Sequence, residues 1–306
     1  MNKDLRGFIR HKLVSFRHIF MREGWRSYTS KDGKKWVRVK LPRGEWQSSF
    51  CADPFLFRYD GGNWLFFETM TPDSKGIIGC SKYEGNRWRW QGIALEEPWH
   101  LSYPQVFEED GSIYMIPESC KKGAGDVCLY EAYDFPLKWR KVATLINEPF
   151  ADSTLLRHDG HYYLFCYRRE GAELWCSDAL KGPWVRHPMC ANINQSKRLR
   201  RCGGGFISCE GKLFRVAQDC NGFYGKRLFK VPVLEISPIS YHEGDASLLI
   251  DRTDVPVAFK HTYNEIGVDD DALLQVIDTH HDVLRPMVDI VKNIISVAVK
   301  KAKGKG

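Results

Sequence analysis

Apolar residues in this chain fall into short paired runs, each pair divided by an acidic-glycine turn, and the pairs recur. They read ADPFLFRYDGGNWLFFE from Ala52, YPQVFEEDGSIYMIPE from Tyr103, ADSTLLRHDGHYYLFCY from Ala151 and CGGGFISCEGKLFRVAQ from Cys202. Runs of this length, rich in aromatic and β-branched residues and bounded by Gly and Asp, predict antiparallel strand pairs. The turn glycines Gly61, Gly111, Gly160 and Gly211 stand 50, 49 and 51 residues apart. A period of roughly 50 residues is the size of one four-stranded propeller blade.

A second half-repeat follows each pair, built from an apolar stretch, a small residue, a polar turn and a Trp. It appears as GIIGCSKYEGNRWRW from Gly76, DVCLYEAYDFPLKW from Asp126 and AELWCSDALKGPW from Ala172, and more weakly from Lys226 to Tyr241. The same half stands alone near the start as GWRSYTSKDGKKW from Gly24. Its counterpart lies between Val255 and Ile277, where strand-like runs around Pro256–Phe259 and Ala272–Leu274 have no outer half after them. Joining the two ends completes a fifth blade and removes exposed strand edges. The predicted fold is therefore an all-β, five-bladed β-propeller, closed by pairing N-terminal outer strands with C-terminal inner strands. The expected organisation is a basic amphipathic extension over 1–23, the propeller over 24–278, and a basic amphipathic helix and tail over 279–306.

Composition changes this picture little. The 306 residues suit a single propeller domain with short ends. No apolar segment is long enough to span a bilayer, and none of signal-peptide type lies near Met1, so a cytoplasmic location is the default expectation. The ten cysteines form no C-x-x-C pair or zinc spacing and read as buried, reduced thiols.

Charge is unevenly placed. Residues 1–40 carry +9 and residues 285–306 carry +5, so the total of +7 leaves −7 on the stretch between. An acidic propeller lacks the basic face that nucleic acid requires, and that class is excluded. The ends show helical stripes, Leu5, Phe8, Ile9, Leu13, Phe16 and Phe20 at one and Val288, Val291, Ile295 and Val299 at the other, interleaved with Lys and Arg. Two readings stay open: peripheral contact with an anionic membrane, which would put the protein at its inner face, or packing of the helices on each other or on the propeller rim.

In a propeller the starts of the innermost strands converge on one channel mouth. Those starts bring Asp53, Tyr103, Asp152, Arg201 and the segment from Lys260 to Asn264 together, and the ends of the next strands add Glu68, Glu118, Arg168 and Asp219. A glycosidic bond is cleaved or transferred by paired carboxyl groups, one ionised and one raised in pKa. Asp53, Asp152, Glu118 and Asp219 are the predicted catalytic group. Glu68, Trp99, Tyr103, Arg168, Arg201, Tyr224, His261 and Asn264 are the predicted substrate-binding residues. Arg200, Arg201, Lys260 and His261 are also placed to take an anionic substituent such as phosphate or a sugar carboxylate.

Several segments carry a resemblance: Cys51-Ala52-Asp53-Pro54-Phe55, His100-Leu101-Ser102-Tyr103-Pro104, Pro117-Glu118-Ser119, Ala151-Asp152-Ser153-Thr154-Leu155, Gly182-Pro183-Trp184, Ala217-Gln218-Asp219-Cys220 and His261-Thr262-Tyr263-Asn264. Over roughly residues 45–268 the chain resembles the N-terminal propeller domain of glucosamine inositolphosphorylceramide transferases and its free-standing bacterial relatives. More distantly it resembles the five-bladed furanosidase-like hydrolases, glycoside hydrolase families 43 and 32 among them. That likeness implies that Asp53 is the first-blade base or nucleophile and Asp152 the third-blade acid that tunes its partners. In those families a fourth-blade Glu is the general acid. Here that place reads Arg201-Cys202-Gly203-Gly204, which leaves Glu118, then Asp219, to supply the proton.

Other motifs fail. Gly203-Gly204-Gly205 lacks the Lys-Ser/Thr of a phosphate loop, and His280-His281-Asp282 has no zinc-binding companion and reads as surface near the C-terminal helix. No cofactor is predicted, and a channel metal beside His261 is optional. The expectation is a carbohydrate-active enzyme that cleaves or transfers a glycosyl group in cell-surface polysaccharide or glycolipid metabolism. The alternative is a non-catalytic glycan-binding propeller that assists a partner glycosyltransferase.

Overall fold

The computed structural model describes residues 20–44, 50–119, 125–194, 198–221, 224–250, 260–269, 272–284, 287 and 290–291. Residues 25–280 form one compact unit, and the segments 1–24 and 281–306 form another. Among the described residues, twenty-two strands are arranged in five sheets. Blade one contains Ala52–Tyr59, Gly62–Met70, Gly76–Glu84 and Arg87–Leu95 in sequential antiparallel order. Blade two is Ser102–Glu109, Ser112–Glu118, Val127–Asp134 and Lys138–Ile146, and blade three is Ala151–His158, His161–Arg168, Gly171–Ser177 and Val185–Arg186. Blade four has a broken inner strand, Arg201–Cys202 and Ile207–Cys209, followed by Lys212–Asp219 and Arg227–Ile236, with Tyr241–Glu243 and Ser247–Leu248 outside.

Blade five is the composite one. Its inner strands are Tyr263–Asp269 and Ala272–Leu284, and its outer strands are Met21–Ser30 and Val37–Arg38. This is the closure that the unpaired half-repeats predict. The two strands where the ends of the chain meet run further than expected. Met21–Ser30 starts ahead of residue 24, and Ala272–Leu284 takes in His280, His281 and Asp282, of which the two histidines are half-buried. The expected run Pro256–Phe259 and nearly all of the two expected end helices lie outside the described residues.

Alternation along each strand sends one set of side chains toward each neighbouring blade, so the apolar core is divided into inter-blade layers. Phe66, Ile78, Met115 and Tyr130 fill the layer between blades one and two, and Ile116, Leu129, Leu155 and Leu164 the layer between two and three. Phe165, Leu174, Cys202 and Tyr241 join three to four, Val216, Leu228, Tyr263 and Ile277 join four to five, and Leu65, Phe67, Leu274 and Val276 join five to one. Five layers for five sheets make a closed ring. Nine cysteines lie among the described residues; all are free and seven are buried, and burial pushes the Cys51 thiol up to about 12.

The seam between blades four and five depends on glycine. Gly203 accepts the Tyr263 N–H through its carbonyl at 2.7 Å, and a Cβ at Gly204, whose φ is +137°, would overlap the Tyr263 carbonyl. Only the absence of a side chain lets the two inner strands approach this closely.

Candidate functional site at the channel mouth

Three inner strands begin with the same irregularity. The pairing slips by one residue between Ala52 and Phe55, between Ser102 and Gln105, and between Ala151 and Thr154. The bulged residues Asp53, Tyr103 and Asp152 have φ values of +47°, +48° and +48°. A β-bulge re-aims its side chain, and a non-glycine residue at positive φ costs about 1–3 kcal/mol, a strain that collects at functional positions. The repeat therefore builds one device three times, and it points residues toward the axis.

The second strands hold the bulges in place. Glu68, Glu118, Tyr167 and Gln218 stand opposite the residues that open the inner strands, Ala52, Ser102, Ala151 and Arg201. Asp278 takes the fifth such place, its N–H bonded to the Thr262 carbonyl. Glu118 of blade two accepts the Asp152 N–H of blade three at 3.1 Å, and Asp278 of blade five accepts the Asp53 N–H of blade one at 3.0 Å. Glu68 lies 3.0 Å from Nε2 of His100, whose Nδ1 accepts the Gly76 N–H. Glu118 and Asp278 reach from one blade to the next and satisfy buried backbone donors there.

Around Asp53 the network is tight. Its Oδ1 accepts the Thr262 hydroxyl at 2.8 Å and lies 3.5 Å from His261 Nε2, while Oδ2 accepts no hydrogen bond among the described residues. Burial, only partly offset by His261 and reinforced by the charges of Glu68, Asp278 and Asp152, pushes the Asp53 carboxyl up to about 7. His261 Nδ1 meets Asp278 Oδ2 at 2.5 Å, and Asp278 Oδ1 accepts the His261 and Thr262 N–H groups. Burial opposes the imidazolium, but Asp278 and Asp53 outweigh it and hold His261 up to about 9. Trp25 stacks on the imidazole with centroids 3.8 Å apart and planes 6° from parallel, which suits a cation held against an aromatic face.

Asp53, His261 and Asp278 each bring a ligand-type atom within 4.8 Å of the others. Both Asp278 oxygens are taken by N–H donors, and the Nδ1 contact requires a proton where a metal would need a lone pair. The trio fits a hydrogen-bonded ion pair better than a ligand set.

Asp152 is bound differently. Arg201 grips it through Nε and Nη2, and Gln218 donates to its Oδ2 at 3.0 Å, so both oxygens are engaged. The Arg201 guanidinium lies over the Tyr167 and Tyr224 rings at 5.4 and 5.1 Å. Tyr224, 46% exposed, leaves ring surface open beside this pair. A cleft of about 340 Å³ adjoins it, lined by Tyr167, Arg198, Arg200, Arg201, Gln218 and Asn221 among others. Arg198 is paired with Asp219 at 2.6 Å, whereas the Arg200 Nε is buried without a hydrogen bond.

The site thus gathers Asp53, Asp152, Glu68, Glu118, Arg201, Tyr224 and His261. Other residues expected there are placed elsewhere or used up. Tyr103 is fully buried; its hydroxyl bonds Thr154, the Gly204 carbonyl and the Gly204 N–H, so the ring plugs the channel and offers no face to a sugar. Asn264 spends its amide on the Pro54 carbonyl and the Gly205 N–H. Trp99 packs against the core between blades one and two. Arg168 pairs with Glu148 and Glu173, and Asp219 with Arg198 and the Asn221 N–H; both stand one residue past the axial register, which turns them to the other face of the strand. Burial works against the Asp219 charge, but Arg198 and Asn221 hold its carboxyl below the usual range. Residues not foreseen are Trp25, Tyr167, Gln218 and Asp278.

Comparison with known proteins agrees with this fold. A glucosamine inositolphosphorylceramide transferase 1 from Oryza sativa subsp. japonica is 38% identical over 221 residues, which cover 68% of this chain and 29% of the relative. The chain therefore spans less than a third of that relative's length. Among solved structures, a thermostable family-43 glycoside hydrolase superposes with a TM-score of 0.55 at 11% identity, covering 74% of this chain and 86% of the other. An α-L-arabinofuranosidase from Podospora anserina gives 0.55 at 11% identity, covering 76% and 90%. At such identities the likeness is one of fold. Residues 39–265 match the family described as glucosamine inositolphosphorylceramide transferase 1, N-terminal, and the chain belongs to that family.

Proposed function

We propose that the channel mouth acts on a carbohydrate, cleaving or transferring a glycosyl group, with Asp53 as the residue that moves the proton. The observation that carries this reading is the state of Asp53: buried, pushed up to about 7, fixed by Thr262 through one oxygen and accepting no hydrogen bond from a described residue at the other. A proton donor and acceptor works best with its pKa near the working pH. Asp152, with both oxygens engaged by Arg201 and Gln218, is a second carboxyl group held rigidly at the same mouth, where an oxocarbenium-like centre develops. Tyr224 offers ring surface for a sugar to stack on, and Arg200 is an uncommitted guanidinium for an acidic substituent. The name of the rice relative and the names of the two hydrolases all concern sugars, which supports the substrate class.

The test is turnover of a panel of aryl glycosides and lipid-linked glycans by the wild type and Asp53→Asn. We expect loss of about 10³-fold or more in kcat with sugar affinity retained. Undiminished turnover in Asp53→Asn would remove the proposal. A second reading, a glycan-binding propeller that serves a partner glycosyltransferase, is favoured by Arg201, which stands where the related hydrolases have their acid and closes over Asp152. Sugar binding by the wild type with no turnover across the panel would select it.

A further inference from the structure

The basic N-terminal stretch is not wholly an appendage, because residues 25–40 build the outer half of blade five. The turn joining its two outer strands faces the outer strand pair of blade one, and between them lies a cleft of about 690 Å³. Lys31, Lys35, Arg38, Lys40 and Arg87 line it, and none of the five forms an ion pair with a described residue. The single acid of the lining, Asp32, is spent on its own turn: Oδ1 accepts the Ser30 hydroxyl at 2.9 Å and the Lys34 and Lys35 N–H groups at 2.8 Å.

Two features separate this from a scatter of solvated lysines. Arg38 is half-buried, its Nε is enclosed without a hydrogen-bond partner among the described residues, and burial together with Arg26 lowers its pKa from the usual arginine range. A guanidinium in that position, next to a like charge, is left with unmet donors that only an anion satisfies well. The second is an aromatic wall. Trp88, fixed by its indole N–H on Thr29 Oγ1 at 3.1 Å, and Tyr83, with the Lys31 ammonium 5.3 Å from its ring centroid, give the cleft an apolar side beside its charged one. Concavity, surplus positive charge and a rigid aromatic face are the properties of a site for a charged head joined to a ring or chain.

We infer that this cleft between blades five and one is a binding site for a phosphate ester, with Arg38 as its anchor and Lys31, Lys35, Lys40 and Arg87 around the phosphate. The ester can come from a soluble phosphorylated sugar or from a phospholipid headgroup, and the chemistry that recognises them is the same. The site is separate from the channel mouth and stands or falls independently of the glycosyl chemistry.

Calorimetry on the full chain tests the inference with inorganic phosphate and glucose 6-phosphate. Co-sedimentation tests it with phosphatidylcholine vesicles with and without phosphatidic acid. Binding is expected to weaken as salt rises, to fall about tenfold or more in Arg38→Gln, and to fall several-fold in the exposed double variant Lys31→Gln/Lys35→Gln, which carries little folding risk. Asp53→Asn should bind as the wild type does. Binding of glucose 6-phosphate but not of vesicles assigns the site to a soluble ester, and the reverse assigns it to a lipid. No binding of any probe at low salt, or binding unchanged in both cleft variants, overturns the inference.

Discussion

At the scale of single residues, the site is defined by which groups hold a proton. Asp53 and His261 are each raised, to about 7 and about 9, so the folded protein binds protons at both more tightly than the unfolded chain does. Stability from His261 is fully present below its unfolded value near 6.5 and is lost as pH rises through about 9; the Asp53 contribution is present below 3.8 and lost as pH rises through about 7. The wild-type Tm should therefore decline from mildly acidic pH to pH 9, with about 2–3 kcal/mol of that loss belonging to His261. In His261→Gln the Tm should be lower at pH 6, where Asp278 has lost its partner, yet flatter above pH 6.5. Thermal unfolding across that range measures both, and an unchanged slope in the variant would show that His261 does not titrate there. The repeat brings Asp53 and His261 to one mouth, but the raised values are not legible in one dimension, because Trp25 and Asp278 reach His261 only through ring closure.

At the scale of elements, the bulge and the strand register decide what a side chain does. Counting from the turn glycines, the axial places of the second strands fall seven residues on, at Glu68, Glu118, Tyr167 and Gln218. Charge drew attention to Arg168 and Asp219, eight residues on, and a one-residue step reverses the face in a pleated strand. In blade five the sequence between the two inner strands reads Asp269-Asp270-Asp271, with no glycine to count from, which hid Asp278. The blades themselves were legible because their turns demand glycine and their strands alternate at every repeat. Tyr103 shows how an element position overrides residue type: a tyrosine that would suit sugar stacking becomes the plug that ties blade two to blades three and four. Tyr103→Phe keeps the ring but takes the hydroxyl from the Gly204 N–H and the Gly204 carbonyl in a buried place, while the Thr154 hydroxyl keeps its bond to the Asp152 carbonyl. A loss of about 1–3 kcal/mol in urea unfolding is expected, without change in the slope of the transition.

At the scale of the molecule, closure is what makes distant acids neighbours, and its cost is a blade assembled from both ends of the described chain. The inner strand Ala272–Leu284 lies beside the outer strand Met21–Ser30, and a Cβ on Gly24 would meet Val283 and His281, so the end of one strand is adjacent to the start of the other. If the ring is held by its inter-blade layers rather than by chain connectivity, the break can be moved. A permutant that begins at Phe50, joins Leu284 to Met21 through a short glycine-serine turn and ends after Lys40 would make blade five a continuous four-stranded sheet like the others. Loop closure of that length costs little, and the new break between blades five and one is bridged by the packing of Leu65, Phe67, Trp88, Val268 and Val276 without a covalent link. The permutant should fold as a monomer with a cooperative thermal transition and retain the His261-dependent pH slope, since the site is built from contacts that the new connectivity leaves in place. Aggregation, or a transition without that slope, would mean that the segments removed with the old ends are needed to hold the ring shut.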